Sequence, residues 1–169
     1  MKKLISASVL MLAIIATSFA QKYAYVDTEY ILSKIPSYES AQNKIDELST
    51  TWQKEVEAKY QAVQKKYETF QTEQYAWSAE MKKQKENEII SLEEEAGKLK
   101  DKYFGEEGEL YNKRLELVKP IQDEVYNAIK EIATVGNYGF IFDKASGVSI
   151  IYSDPKYDVS DEVVKKLGY

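Results

Sequence analysis

The sequence predicts an α+β protein, mostly helical, in which a long antiparallel two-helix coiled-coil arm projects from a small β body that oligomerises. Three observations lead there. No proline falls between Pro36 and Pro120, and no glycine precedes Gly97. The stretch between, rich in Glu, Lys, Gln and Ala, places apolar residues at steps of three and four, the spacing of one helix face. Short runs of β-branched and aromatic residues flank it, YAYV at 23–26 and GFIF and VSIIY near the C-terminus. A strand near each end pairs with the other only if the helical middle folds back, so a hairpin is expected.

In sequence order, residues 1–20 have the pattern of a secretory signal. Lys2 and Lys3 precede a short apolar run, and Ser18, Phe19 and Ala20 end it with small residues at the outer positions. The run is too short to favour a retained membrane anchor, so export to a periplasm-like compartment with a mature start at Gln21 is expected. The body is expected to comprise 21–36 and 119–169, and the arm 37–118. After the first strand Asp27 is placed to cap a short helix through Leu32. The outgoing arm helix is expected to start with Ser37 as its cap after Pro36, and its seam reads Tyr38, Ala41, Ile45, Leu48, Trp52, Val56, Tyr60, Val63, Tyr67 and Phe70. An extra four-residue step around Trp52 to Tyr60 should locally relax a left-handed supercoil.

A turn is expected at 75–77, with Ser78 capping the return helix. The return seam reads Ile89, Leu92, Ala96, Leu99, Tyr103, Leu110, Val118, Ile121, Val125, Ala128 and Ile132. Each limb has about 40 residues, roughly 60 Å at 1.5 Å per residue, and matched limbs suit a hairpin. Gly97, Gly105 and Gly108 interrupt the return limb, either as a zone that bends or as points of close packing. Pro120 marks either a kink or a boundary. Near the C-terminus 137–143 and 148–152 are expected to form a hairpin around Ala145 to Gly147, and Ser160 to cap a final helix that Gly168 ends.

Composition restricts the chemistry. The sequence holds 23 Lys and Arg against 28 Asp and Glu, a net −5, and removal of Lys2 and Lys3 makes it more acidic. Nothing in that balance favours nucleic acid, whose phosphates demand basic side chains, or stable insertion into a membrane. With 0 His and 0 Cys the protein lacks a thiolate nucleophile, the commonest general base and the usual zinc ligands. The carboxylates fall mainly on a helical arm without a cleft to shift their pKa values. No enzyme activity and no cofactor or metal is expected.

The body strands are apolar on consecutive residues, Phe140-Ile141-Phe142 and Ile150-Ile151-Tyr152, so both faces need cover. A body this small, without disulfide or metal, has a marginal core, and association would complete it. Tyr23, Tyr25, Val26, Phe140, Ile141, Phe142, Ile150 and Ile151 are the candidate oligomer-interface residues.

The runs YAYVDTEYILSKIP at 23–36, LVKPIQDEVYNAIKEIA at 117–133 and GFIFDKASGVSIIYSDPKYDVSDEVVKKLG at 139–168 resemble the Skp/OmpH family of periplasmic chaperones. Their order and spacing carry the resemblance, since no single motif is catalytic. It implies a homotrimer with a β hub and three helical arms that enclose unfolded outer-membrane β-barrel proteins and keep them soluble without ATP. Acidic residues outnumber basic ones over 37–118, unlike well-known members, so lipid or lipopolysaccharide binding is not carried over. Candidate client contacts are Tyr75 and Trp77 at the tip, with Tyr60, Tyr67, Phe70, Tyr103 and Phe104 along the arm. For Tyr60, Tyr67, Phe70 and Tyr103, interhelix packing is the commoner role. The alternative function is a structural coiled-coil spacer or adaptor of the envelope that binds a folded partner.

Overall fold

The computed structural model describes residues 21–147 and 150–169. The expected signal segment, and Val148 and Ser149 of the expected C-terminal hairpin, lie outside the described residues. From the N-terminus the elements are β1 (Lys22–Val26), α1 (Thr28–Ser33), α2 (Pro36–Glu73), a 3₁₀ turn (Gln74–Ala76), α3 (Ala79–Phe104), α4 (Glu109–Leu117), α5 (Lys119–Gly136), β2 (Tyr138–Asp143), a second 3₁₀ turn (Pro155–Tyr157) and α6 (Ser160–Lys166). The protein divides into two compact units, one of residues 21–31 and Val125–Tyr169, the other Leu32–Glu124.

In the first unit β1 and β2 pair in parallel, with Tyr23 opposite Phe140, Ala24 opposite Ile141, Tyr25 opposite Phe142 and Val26 opposite Asp143. The strands on either side of the helical middle therefore share one sheet, as the sequence requires of a middle that returns. Strand alternation puts Tyr23, Tyr25, Phe140 and Phe142 on one face and Ala24, Val26 and Ile141 on the other. Ala24, Val26, Ile31, Val125, Ala128, Val159 and Val163 are buried and form the unit's core.

Polar contacts fasten the end of the sheet. The Asp143 carboxylate accepts from the Thr28 N–H at 3.2 Å, the Thr28 hydroxyl at 2.8 Å and the Ala145 N–H at 3.0 Å. Asp27 caps α1 as expected, its Oδ1 accepting from the Tyr30 N–H at 2.9 Å. Ser160 does not cap α6, because Val159 occupies the cap position. The buried Ser160 hydroxyl instead accepts from the Asp27 N–H at 2.9 Å and donates to Asp158 Oδ1 at 2.6 Å, joining segments far apart in sequence. Gly168, at φ 92°, follows the helix as its stop.

The expected C-terminal hairpin is also corrected. Ile150, Ile151 and Tyr152 form no strand, and Ile151 is fully exposed. The backbone of Tyr25 is engaged elsewhere, its carbonyl accepting from the Val159 N–H at 3.0 Å.

The second unit is a helical hairpin. Helix α2 starts one residue before the expected cap: Ile35 holds the cap position without a side-chain bond and Pro36 is the first helical residue, where a missing N–H costs nothing. Ala41, Ile45, Val56 and Val63 of α2 and Ile89 and Ala96 of α3 are buried along the seam. The turn falls where expected, and the Ser78 hydroxyl caps α3 by accepting from the Met81 N–H at 3.2 Å. Lys59 with Glu95 at 3.4 Å and Lys66 with Glu88 at 2.7 Å fix the antiparallel register from outside the seam. Both pairs are exposed and add little stability.

The return limb is not one helix. It breaks at 105–108, and the three glycines separate into different roles. A side chain at Gly105 would begin 2.5 Å from the Asp101 carbonyl oxygen, and one at Gly108 would begin 2.9 Å from that of Tyr103, so both glycines permit a close backbone approach. Gly97 lies inside α3 with nothing within 4 Å of an added Cβ. Pro120 sits in the first turn of α5, just past the boundary at Val118. Gly97→Ala is expected to raise stability by about 0.5 to 1 kcal/mol in urea unfolding, through propensity and a less flexible unfolded state. Gly105→Ala is expected to lower it by about 1 to 3 kcal/mol, from the forced backbone shift. Equal effects of the two would contradict the separate roles.

Candidate functional site

Periodicity explains which aromatic side chains of the hairpin reach solvent. At about 100° per residue a four-residue step overshoots one turn by about 40°. Three such steps in succession, Leu48 to Trp52 to Val56 to Tyr60, rotate Tyr60 away from the stripe centred on Ile45, Val56 and Val63. Tyr67 lies on the same side. Tyr60 and Tyr67 are accordingly 42% and 47% exposed, while Val56 and Val63 beside them are buried. The two tyrosines flank the seam and do not fill it.

Opposite Tyr60, Phe104 at the end of α3 is also exposed, and between them runs a groove of about 540 Å³ lined by Gln53, Val56, Glu57, Tyr60, Lys100 and Phe104. Its floor is apolar and its rim is charged. One turn away Tyr103 stacks on Trp52 with ring centroids 4.9 Å apart and planes within 7°. Its hydroxyl donates to Glu55 Oε2 at 2.6 Å, so this candidate binds the two limbs together. That bond to a carboxylate, with some burial, raises the Tyr103 pKa above its ordinary value.

At the tip Trp77 meets Phe70 edge to face at 5.7 Å, and both are half-buried. Tyr75 between them in sequence is 86% exposed. Of the seven hairpin aromatics singled out, Tyr60, Tyr67, Tyr75 and Phe104 present surface, whereas Phe70, Trp77 and Tyr103 are engaged in the hairpin's own packing.

The sheet-bearing unit has a second apolar surface. Tyr23, Phe140 and Phe142 are exposed on one face of the sheet, with the Phe140 and Phe142 rings stacked 6.1 Å apart and Tyr23 tilted against Tyr157 at 5.0 Å. The Tyr157 hydroxyl beside it, followed by slight burial, raises the Tyr23 pKa. A depression of about 360 Å³ opens there, lined by Tyr23, Tyr25, Phe142, Ile150, Tyr152 and Tyr157 among others. Tyr25 and Val26 are already buried within the unit, and Ile141 is half-buried. Tyr152 and Tyr157 were not singled out in the sequence, though their clustering after Ile150 and Ile151 was a signal that this apolar run continues.

Among the described residues no group of three or more His, Cys, Asp or Glu is placed to hold a metal ion. Among the same residues no helix is long and apolar enough to cross a membrane.

The family model of OmpH-like outer membrane proteins matches residues 22–167. The chain belongs to the OmpH-like family. A solved structure with a similar fold is that of a protein from Caulobacter crescentus CB15 described as an outer membrane chaperone, also OmpH-like. It superposes with a TM-score of 0.63 at 9% identity, covering 87% of this chain and 83% of that one. At that identity the likeness speaks for the fold, mostly helical with a small sheet. No curated protein matches this OmpH-like sequence significantly.

The raised Tyr103 pKa has a defined consequence. Its neutral form is held by Glu55 only in the folded hairpin, so the contribution is fully present below the unfolded value of 10.0 and is lost as pH rises through the higher folded value. The stability difference between wild type and Tyr103→Phe in urea unfolding is therefore expected to be constant at neutral pH and to shrink above pH 10.0. A difference that grows with alkalinity would contradict the assigned bond.

Proposed function

We propose that this protein is an ATP-independent holdase of the periplasm that binds unfolded outer-membrane β-barrel proteins and keeps them soluble for membrane assembly. It works as a homotrimer, the sheet-bearing units forming a hub and the hairpins serving as arms that enclose the client. The observation that carries this reading is the set of exposed aromatic residues, Tyr60, Tyr67, Tyr75 and Phe104, on a hairpin rich in charged side chains. The description of the Caulobacter protein as an outer membrane chaperone supports it, and residues 1–20 supply the export signal.

Physical chemistry makes the arrangement suitable. A fully buried aromatic side chain removes 150 to 250 Å² from water, at most roughly 4 to 6 kcal/mol at about 25 cal/mol per Å². Side chains that are half-exposed in the free hairpin gain a fraction of that from any one client segment. Several such contacts on linked arms still hold a client firmly through effective concentration, while each releases quickly. Sequence-tolerant holding needs this balance.

The sheet face suits the hub. Tyr23, Phe140, Phe142, Ile151 and Tyr152 are all exposed large apolar side chains, and a second and third copy provide the cover.

Rapid dilution of a urea-denatured β-barrel membrane protein into buffer tests the holdase. The expected result is a light-scattering trace suppressed at a fixed stoichiometric ratio, with suppression retained in raised salt because the contacts are apolar. Precipitation at the same rate with and without the protein would favour the spacer or adaptor reading. The double variant Tyr60→Ser, Phe104→Ser is expected to weaken suppression several-fold with a change in thermal midpoint of only a few degrees. In sedimentation, wild type is expected as a trimer and Phe142→Asp as a monomer; a monomeric wild type would contradict the hub.

A further inference from the structure

We propose that the mature N-terminus is chemically closed: Gln21, once exposed by removal of residues 1–20, cyclises to pyroglutamate. The inference rests on the export reading above and on three features of the residues that follow. First, only Gln21 separates the cleavage point from β1, which begins at Lys22. There is no spare tail. Lys22 Nζ lies 3.4 Å from the Gly136 carbonyl oxygen and 5.9 Å from the centroid of the Tyr138 ring, and Tyr23 packs on Tyr157, so exopeptidase trimming past Gln21 removes contacts of the sheet.

Second, Gln21 lines a groove of about 460 Å³ with Lys22, Lys130, Thr134, Asn137 and Tyr138. Its Cβ lies 3.9 Å from where a side chain at Gly139 would begin, an ordinary contact distance that places Gln21 against the start of β2. Third, Lys22 and Lys130 already contribute two cations to that groove. Closure of the ring leaves no terminal ammonium to add a third like charge beside them. The uncharged amine is the nucleophile that cyclisation requires.

The step is balanced without any cofactor. The α-amine nitrogen attacks Cδ of the Gln21 carboxamide, a C–N bond of a five-membered lactam forms, and the bond from Cδ to the amide nitrogen Nε2 breaks to release ammonia. The α-nitrogen keeps one hydrogen as the lactam N–H, and the other leaves on the ammonia. Intramolecular attack in a five-membered ring has the high effective concentration of a well-oriented pair. The product has no free amine, which an aminopeptidase needs, and adds no charge beside the two lysines.

The test is mass spectrometry of the protein taken from the cells that naturally export it, with free amines dimethylated in the fresh extract before digestion. The expected N-terminal peptide begins at residue 21, is unlabelled, and is lighter by one ammonia than its glutamine form. A dimethylated peptide beginning at intact Gln21 overturns the proposal and leaves the export reading standing. A peptide that begins at any other residue overturns the cleavage site and the proposal with it. The protective role has its own readout: Gln21→Ala is expected to lose N-terminal residues to added aminopeptidase while the wild-type protein does not, and equal trimming of the two would overturn it.

Discussion

The parallel pairing of β1 with β2 is the constraint on which the rest depends. Parallel neighbours cannot be joined by a tight turn and need a long crossover. Here everything between Val26 and Tyr138 is that crossover, and it is almost wholly helical. The end of β1 is further tied by Ser160 to Asp27, by Asp143 to Thr28 and by Val159 to Tyr25, three contacts that each span more than a hundred residues. None of these segments is stable alone, since a two-stranded sheet is marginal in water. The fold therefore closes late in sequence terms, around a small sheet.

The hairpin obeys a different economy. Its seam is narrow and built from medium-sized and small residues, Ala41, Ile45, Val56, Val63, Ile89 and Ala96, and its cross-limb ion pairs are exposed. Much of its aromatic content is consequently free to face outward. The same run of four-residue steps that disturbs a supercoil carries Tyr60 off the seam, so the irregularity and the presented surface have one cause. Packed and presented aromatic side chains lie on adjacent stripes of the same helices, the Trp52–Tyr103 stack on the first and Tyr60 with Phe104 on the second.

Much of this was legible in the residues. Asp27 and Ser78 are caps because their short polar side chains stand before helical periodicity, and the reversal between them and the terminal strands follows from matched limbs. What escaped depended on tertiary context. Phe140-Ile141-Phe142 and Ile150-Ile151-Tyr152 have equal strand character, but β1 pairs with β2 and, through Tyr25, with Asp158, so neither edge of β1 is left for 150–152. Ser160 has the residue type of a cap, but its hydroxyl is drawn to Asp27 and Asp158, which no local pattern reveals. The four residues at 105–108 break the return limb because two glycines act together, whereas Gly97 alone is carried by its helix. Exposure along the hairpin was set by cumulative drift over several turns, which a list of seam positions does not display.

Cysteine pairing tests the central claim most directly, because the sequence has 0 native cysteines. The parallel register places Tyr23 opposite Phe140, whereas an antiparallel alignment about Ala24 and Ile141 would place Tyr23 opposite Phe142. Under mild oxidation Tyr23→Cys with Phe140→Cys is predicted to form an intramolecular disulfide readily, and Tyr23→Cys with Phe142→Cys to form one poorly, since cross-linking tolerates only a short Cα separation. Preferential closure of the 23–142 pair, or of neither, would contradict the sheet on which the fold depends.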